Sequence, residues 1–339
     1  MTARARAARL DNHTLFIEDY MAFKPIHTAR QLIDHAILIA EQHRRTRVAV
    51  AAAQDADVIS AVAQAQRDGF LSAVLVGDAD RIKSIAASES VDISNLEVVN
   101  CVDVSEAAHE AVRIAANGDA DAIMKGFLPT SALLKTVLDK DYHLRAANTL
   151  SHCAVLEIPG YHKLLNFTDG GMVVKPDIEQ KVQILENAVL VARALGLSPV
   201  KVALSGASER ISDAFPHTFS DAESVKPEAG RRLKDVVIQG PLPFDLATSR
   251  TAAEYRAYEG PVLGDADIYL VDSIEEGNIV AKSLIQFAGA IFAGVIVGAK
   301  VPVSLVSRTD TVMNKKASLA LACVVADYYK RENVWGGKR

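Results

Sequence analysis

The sequence predicts an α/β protein folded into two lobes. Short apolar runs alternate with amphipathic stretches of ten or more residues, the rhythm of strands joined by helical crossovers. At 339 residues the chain is longer than one hydrophobic core usually serves. Half of its residues are hydrophobic and 23% are charged, a balance that suits a globular enzyme.

Taken in order, apolar residues at Leu32, Ile33, Ala36, Ile37 and Ala40 give Thr28 to His43 a helical face. Arg47 to Ala53 reads as a buried strand, Asp57 to Asp68 as a helix stopped at Gly69, and Ser72 to Gly77 as the next strand. Leu96 to Val99 is a strand, Ala107 to Ala116 a helix closed by Asn117-Gly118, and Ala120 to Met124 a strand. After a helix over Ala132 to Leu138, the pattern resumes with a strand at Ala154 to Ile158, a helix at Asp177 to Leu195 and a strand at Val200 to Leu204. Val236 to Gln239, Ile268 to Val271, Ala293 to Val297 and Val303 to Val306 read as strands, and Asn314 to Lys330 as the closing helix. The alternation implies parallel pairing. A lobe boundary is placed near residue 150, where no Pro/Ser-rich linker marks it.

The net charge of −5 leaves no basic surplus for nucleic-acid binding. The opening MTARARAAR carries three arginines, but Leu10-Asp11-Asn12-His13 follows instead of an apolar signal core. Residues 1–26 are therefore expected to form a flexible extension. The longest apolar stretch, Phe287 to Val297, is too short to span a bilayer. Cys101, Cys153 and Cys323 lie far apart without CxxC spacing, which reads as a reducing, cytoplasmic setting with no zinc site.

In a parallel sheet, ligands collect where strand ends meet helix N-termini. Five such loops carry reactive groups. Lys125, Gly126, Thr130 and Ser131 follow one strand and make an anion-binding shape, or simply a solvated lysine and an N-cap. Thr168, Asp169 and Gly170 begin a sharp Asp-Gly-Gly turn. Ser205 opens a small-residue loop, and Gly277-Asn278 sets an amide beside a flexible backbone. Ser307, Arg308 and Asp310 bring a hydroxyl, a guanidinium and a carboxylate within four residues. Arginine suits bidentate capture of phosphate, and serine can polarise a developing oxyanion. Ser151 and His152 should face opposite ways on a strand, which argues against a nucleophile–base dyad.

In this order the segments resemble the phosphate acetyltransferase/phosphate butyryltransferase family, and its butyryltransferase branch above all. Asp121-Ala122-Ile123-Met124-Lys125-Gly126 is similar to a DxLMKG segment, and Leu150-Ser151-His152-Cys153-Ala154-Val155-Leu156-Glu157 to an LSHVAVFE-type strand. Thr168-Asp169-Gly170-Gly171 through Pro176-Asp177 resembles a TDGAMN…PDL run, and Glu276-Gly277-Asn278 an EAGN block. Gly298 to Val303 and Ser307-Arg308 complete a likeness covering residues 30 to 330.

The resemblance implies a two-domain, three-layer αβα fold like that of isocitrate and isopropylmalate dehydrogenases. Domain I would be residues 27–150 completed by 301–339, and domain II residues 151–300, usually in a homodimer. It implies reversible transfer of a short acyl group from acyl-CoA to inorganic phosphate, with coenzyme A as a substrate and no metal. Ser307 and Arg308 fall on the family's cleft pair. The family's basic aspartate, seven residues beyond that serine, is here Asn314, with Asp310 offset by about one helical turn. Arg308, Lys125 and Arg145 are expected to fix phosphate, Ser307 and Asn278 to hold the oxyanion, and Asp310 to move the thiol proton. Two rivals accompany this reading: an NAD(P)- and metal-dependent decarboxylating dehydrogenase of the same fold, and an idle homologue prompted by Asn314.

Overall fold

A computed structural model describes residues 24–210 and 220–336. The expected extension lies outside the described residues as far as residue 23; Ile26 is already buried, and its N–H donates to the Leu195 carbonyl at 3.0 Å. The first half runs α1 (Ala29–Gln42), β1 (Thr46–Ala51), α2 (Ala56–Arg67), β2 (Leu71–Gly77), α3 (Ala79–Ser88), β3 (Glu97–Asn100), α4 (Val104–Ala116), β4 (Ala122–Lys125) and α5 (Thr130–Val137). Then come β5 (Ser151–Glu157), β6 (Leu164–Thr168), α6 (Ile178–Ala194), β7 (Val200–Ser205), α7 (Lys226–Arg232) and β8 (Val236–Leu242). The chain closes with α8 (Phe244–Thr248), α9 (Arg250–Tyr255), β9 (Ile268–Leu270), α10 (Ile274–Ala288), β10 (Ile291–Val297), β11 (Val303–Ser304) and α11 (Val312–Arg331).

Helix starts follow from polar N-caps: Thr28, Asp55, Asp78, Asp103, Ser273 and Thr311 each accept a first-turn N–H, and Asp177 with Gln180 forms a capping box. The strands build one mixed sheet in the order β3-β2-β1-β4-β11-β10-β5-β6-β9-β7-β8. The outer groups are parallel within themselves, as the alternating pattern predicts. The centre departs from that prediction. β10 runs antiparallel to both β11 and β5, and β5 and β6 form a hairpin. β5–β6 and β10–β11 are each joined directly without a helical crossover, which frees them to run antiparallel, while β10 meets β5 from far along the chain.

Several elements escape the periodicity reading: β6, hidden behind the Pro159-Gly160 turn, α3, half of whose residues are polar, and the helices α7 to α10. The last strand is also shorter than Val303 to Val306. Beyond Ser304 the edge of β10 would expose orphaned N–H groups. The buried helix α11 supplies the acceptors: Asn314 Oδ1 takes the Phe292 N–H at 3.2 Å, and Ser318 Oγ takes the Gly294 N–H at 2.9 Å. α11 also packs on α1, α2 and α6.

The two faces of the sheet differ. One carries a single apolar core spanning both outer groups, roofed by α1, α2, α6 and α11. On the other, a core under α4 and α5 is separate from one under α8 to α10. A trough runs between them.

Asn314→Leu should orphan the buried Phe292 N–H and cost about 1–3 kcal/mol of stability. Urea unfolding would measure it, and an unchanged midpoint would be the contrary result.

Candidate active site

The trough deepens into a cavity of about 270 Å³ over the antiparallel centre of the sheet. Thr130, Gly170, Gly277, Asn278, Ser307 and Asp310 all line it, joined by His152, Lys282 and an apolar wall. Four separate loops thus converge on one space.

The β11–α11 loop folds on itself. The Ser307 N–H donates to Asp310 Oδ2 at 2.5 Å, and the Lys315 ammonium donates to the Asp310 carbonyl. Burial raises the Asp310 carboxyl above its ordinary range, against the opposing pull of the Ser307 N–H and the Lys315 charge. A carboxyl that keeps its proton to a higher pH than an exposed one is biased toward acting as a proton donor. Asn314 holds the β10 backbone with its amide oxygen and also hydrogen-bonds the Asp310 carboxyl through its side chain.

Arg308 stacks over the Phe127 ring, its guanidinium carbon 4.9 Å from the centroid. Lys125 is buried at the end of β4, with its ammonium 3.2 Å from the Gly126 carbonyl. Burial lowers its pKa first and the Arg308 charge second, so the two cations are close enough to repel. An anion between them would relieve that repulsion. Thr130 opens α5 beside this pair; the N-cap is Pro129, which supplies no side-chain acceptor for the first-turn N–H groups.

Other expected residues serve the frame. The Thr168 hydroxyl donates to the His152 carbonyl. The Asp169 carboxylate accepts N–H groups of His152, Gly171, Met172 and Val173, yet burial pushes it up to about 6. A Cβ on Gly126 would stand 2.3 Å from the Ala52 carbonyl, so this glycine permits close crossing of strand ends. Gly170 and Gly277 likewise let the turn meet α10 backbone to backbone. Ser131 is exposed on α5, Arg145 turns back onto the Ala147 and Asn148 carbonyls, and Ser205 ends β7 away from the cavity lining.

Sequence reasoning missed two polar lining side chains, Lys282 and His152, along with the apolar wall. Lys282 sits two turns into α10, far from any motif. Ser151 and His152 do face opposite ways, since the Ser151 hydroxyl accepts from Asn187 while His152 lines the cavity. Neither His152 ring nitrogen meets a hydrogen-bond partner among the described residues, and burial lowers its pKa to about 4. The strand alternation that removed the dyad also aimed the histidine inward.

The family model described as Phosphate acetyl/butaryl transferase matches residues 101–323. The phosphate butyryltransferase of Clostridium acetobutylicum is 39% identical over 86% of this chain and 96% of its own. The phosphate acetyltransferase of Thermotoga maritima is 37% identical over 83% of this chain and 95% of its own. A branched-chain phosphotransacylase from Enterococcus faecalis V583 superposes with a TM-score of 0.74 at 33% identity, covering 83% of this chain and 99% of that one.

The unfolded chain protonates a histidine near pH 6.5, whereas folded His152 stays neutral to about pH 4. Its contribution to stability should be complete above pH 6.5 and lost as pH falls toward 4, by up to about 3 kcal/mol. Urea titrations across that window should show a shallower acid slope for His152→Gln than for the parent chain. Parallel slopes would contradict the assignment.

Proposed function

The chain belongs to the phosphate acetyl/butyryl transferase family and is an acyltransferase, and we propose that the trough cavity is where acyl-CoA and inorganic phosphate exchange the acyl group. The observation that carries this reading is the convergence of Ser307, Asp310, Asn278 and Thr130 on one cavity, with Lys125 outside its lining but electrostatically coupled to Arg308 and to Asp310. Family membership sets aside the dehydrogenase rival. The bond from Asn314 to β10 accounts for the residue that prompted the idle-homologue reading.

In this reading Arg308 and Lys125 hold the phosphate, and Thr130 at the uncapped start of α5 assists them. Phosphate is a poor nucleophile toward a thioester, so orienting the two reactants supplies much of the help. A phosphate oxygen attacks the thioester carbon, and the carbonyl oxygen becomes an oxyanion. The Asn278 amide and the Ser307 hydroxyl donate to it. The acyl–sulfur bond then breaks as the acyl–oxygen bond persists, and protonated Asp310 gives its proton to the departing thiolate. In the reverse direction Asp310 takes that proton back. Lys282 at the cavity wall offers a cation to the phosphates of coenzyme A, which is read as a substrate and not as a resident cofactor.

The isocitrate/isopropylmalate dehydrogenase-like arrangement is part of the same proposal. It is supported by two parallel strand groups flanking an antiparallel centre, with helices on both faces. The division into 27–150 with 301–339 and 151–300 is supported by β11 pairing with β4 and by α11 packing on α1 and α2. A homodimer is favoured by α10, which leaves Ile279 64% and Phe287 87% exposed. The cytoplasmic assignment is favoured by three unpaired thiols; among the described residues no helix is long and apolar enough to cross a membrane.

Phosphate-dependent release of the CoA thiol, followed with a thiol reagent across C2 to C5 acyl-CoAs, tests the reading. Absence of stimulation by phosphate with every substrate would sink it. Arg308→Ala should lower turnover by roughly 30- to 1000-fold in a folded protein, because a charge-assisted pair is lost. Arg308→Lys should recover only part, since a point charge cannot reproduce the planar fork. Unchanged kinetics in the alanine variant would reduce Arg308 to a surface residue. Asp310→Asn keeps an acceptor for the Ser307 N–H but removes the proton carrier, and should cost about 100- to 10,000-fold in rate.

A further inference from the structure

Much of the cavity is apolar. Ala154, Ala281, Ile285, Phe292, Leu305 and Val306 line it, and all but Ile285 are buried. Its floor is the sheet itself, where β5 and β10 pair antiparallel with Ala154 opposite Gly294. On the same face, β5 presents His152, Ala154 and Leu156, and β10 presents Ile296, Gly294 and Phe292. Two small residues therefore meet where the flanking pairs are large, and the floor is hollow at that point.

The hollow is partly closed. A Cβ built on Gly294 would stand 2.3 Å from the Leu305 carbonyl oxygen and 2.5 Å from Cζ of the Phe292 ring, so the loop backbone and that ring, laid along its own strand, together cover the glycine. The ring also faces His152, with centroids 6.1 Å apart. Ala154 is thus the uncovered part of the floor, bounded by His152 toward the polar end and by Phe292 on the other side. The reactive groups Ser307, Asn278 and Asp310 border the same cavity.

We propose that the Ala154–Gly294 pair and the ring of Phe292 determine the length of acyl chain this enzyme accepts: the alkyl tail lies on Ala154 and ends against Phe292. The inference rests on the acyltransferase reading above. A two-carbon acyl group leaves this apolar floor uncovered, whereas a four-carbon tail buries it. Each methylene seated in such a pocket is worth about 10- to 200-fold in kcat/KM, so residues that add or remove room shift the profile steeply. Neither the Ala154 nor the Phe292 side chain carries a group able to act in the chemistry.

The test is the ratio of kcat/KM for phosphate-dependent thiol release with acetyl-, butyryl- and hexanoyl-CoA. Ala154→Leu fills the floor and should lower the butyryl-to-acetyl ratio by about 10- to 100-fold. Phe292→Ala opens the far wall and should raise the hexanoyl-to-butyryl ratio by about 10-fold or more. Because a leucine beneath a packed ring can impair folding, each variant is checked by circular dichroism, and either one in folded form suffices. Shifts in these directions support the proposal. Unchanged ratios with uniformly reduced rates overturn it and leave the acyltransferase reading intact. A parent enzyme that releases no thiol in response to phosphate removes both together.

Discussion

The sheet reverses direction at β10, and its edge there is completed by a helix instead of a strand. β11 ends after two residues, so the N–H groups of Phe292 and Gly294 are met by Asn314 and Ser318 of α11. This arrangement requires α11 to be buried along nearly its whole length, and it is. It also ties α11 to both strand groups, which is why one face of the sheet has a continuous core. Among the described residues, no such helix covers the centre of the opposite face. The two remaining cores stop short of each other, and the cavity occupies the gap.

The outer parallel groups were readable because most strands are apolar runs followed by an amphipathic stretch. Asp177 marks such a start, whereas the caps Asp55 and Asp103 lie two and four residues ahead of where the apolar pattern begins at Asp57 and Ala107. The antiparallel centre was not readable in the same way. β5, β6 and β10 are buried apolar strands whose direction is set by short connections and by partners distant in sequence. Periodicity reports burial on a face and says nothing about the neighbour.

Within the site, residues that announce themselves by chemistry and loop position were found: Ser307, Asp310, Asn278 and Thr130 reach the cavity. Gly170 and Gly277 also line the cavity, and with Gly126 they sit at close backbone crossings, where small size matters whether or not a ligand approaches. Arg145 shows the opposite limit, since its carbonyl partners lie two and three residues away, where local geometry claims it. His152 was considered and set aside for the right reason about Ser151. The same alternation implied its inward aim, but only knowledge of which face borders the cavity gives that meaning.

The groups that shape the Ser307–Asp310 loop come from that loop and from α11, whereas the floor of the cavity comes from β5 and β10. Side-chain exchanges at Ala154 or Phe292 leave the hydrogen bonds of that loop untouched, and the backbone N–H of Phe292 still reaches Asn314 whatever its side chain. Selection can therefore act on the room above the sheet and on the reacting groups as two separate traits. A lineage with this architecture can drift in one while the other stays fixed, through single substitutions on a surface already built to hold small residues.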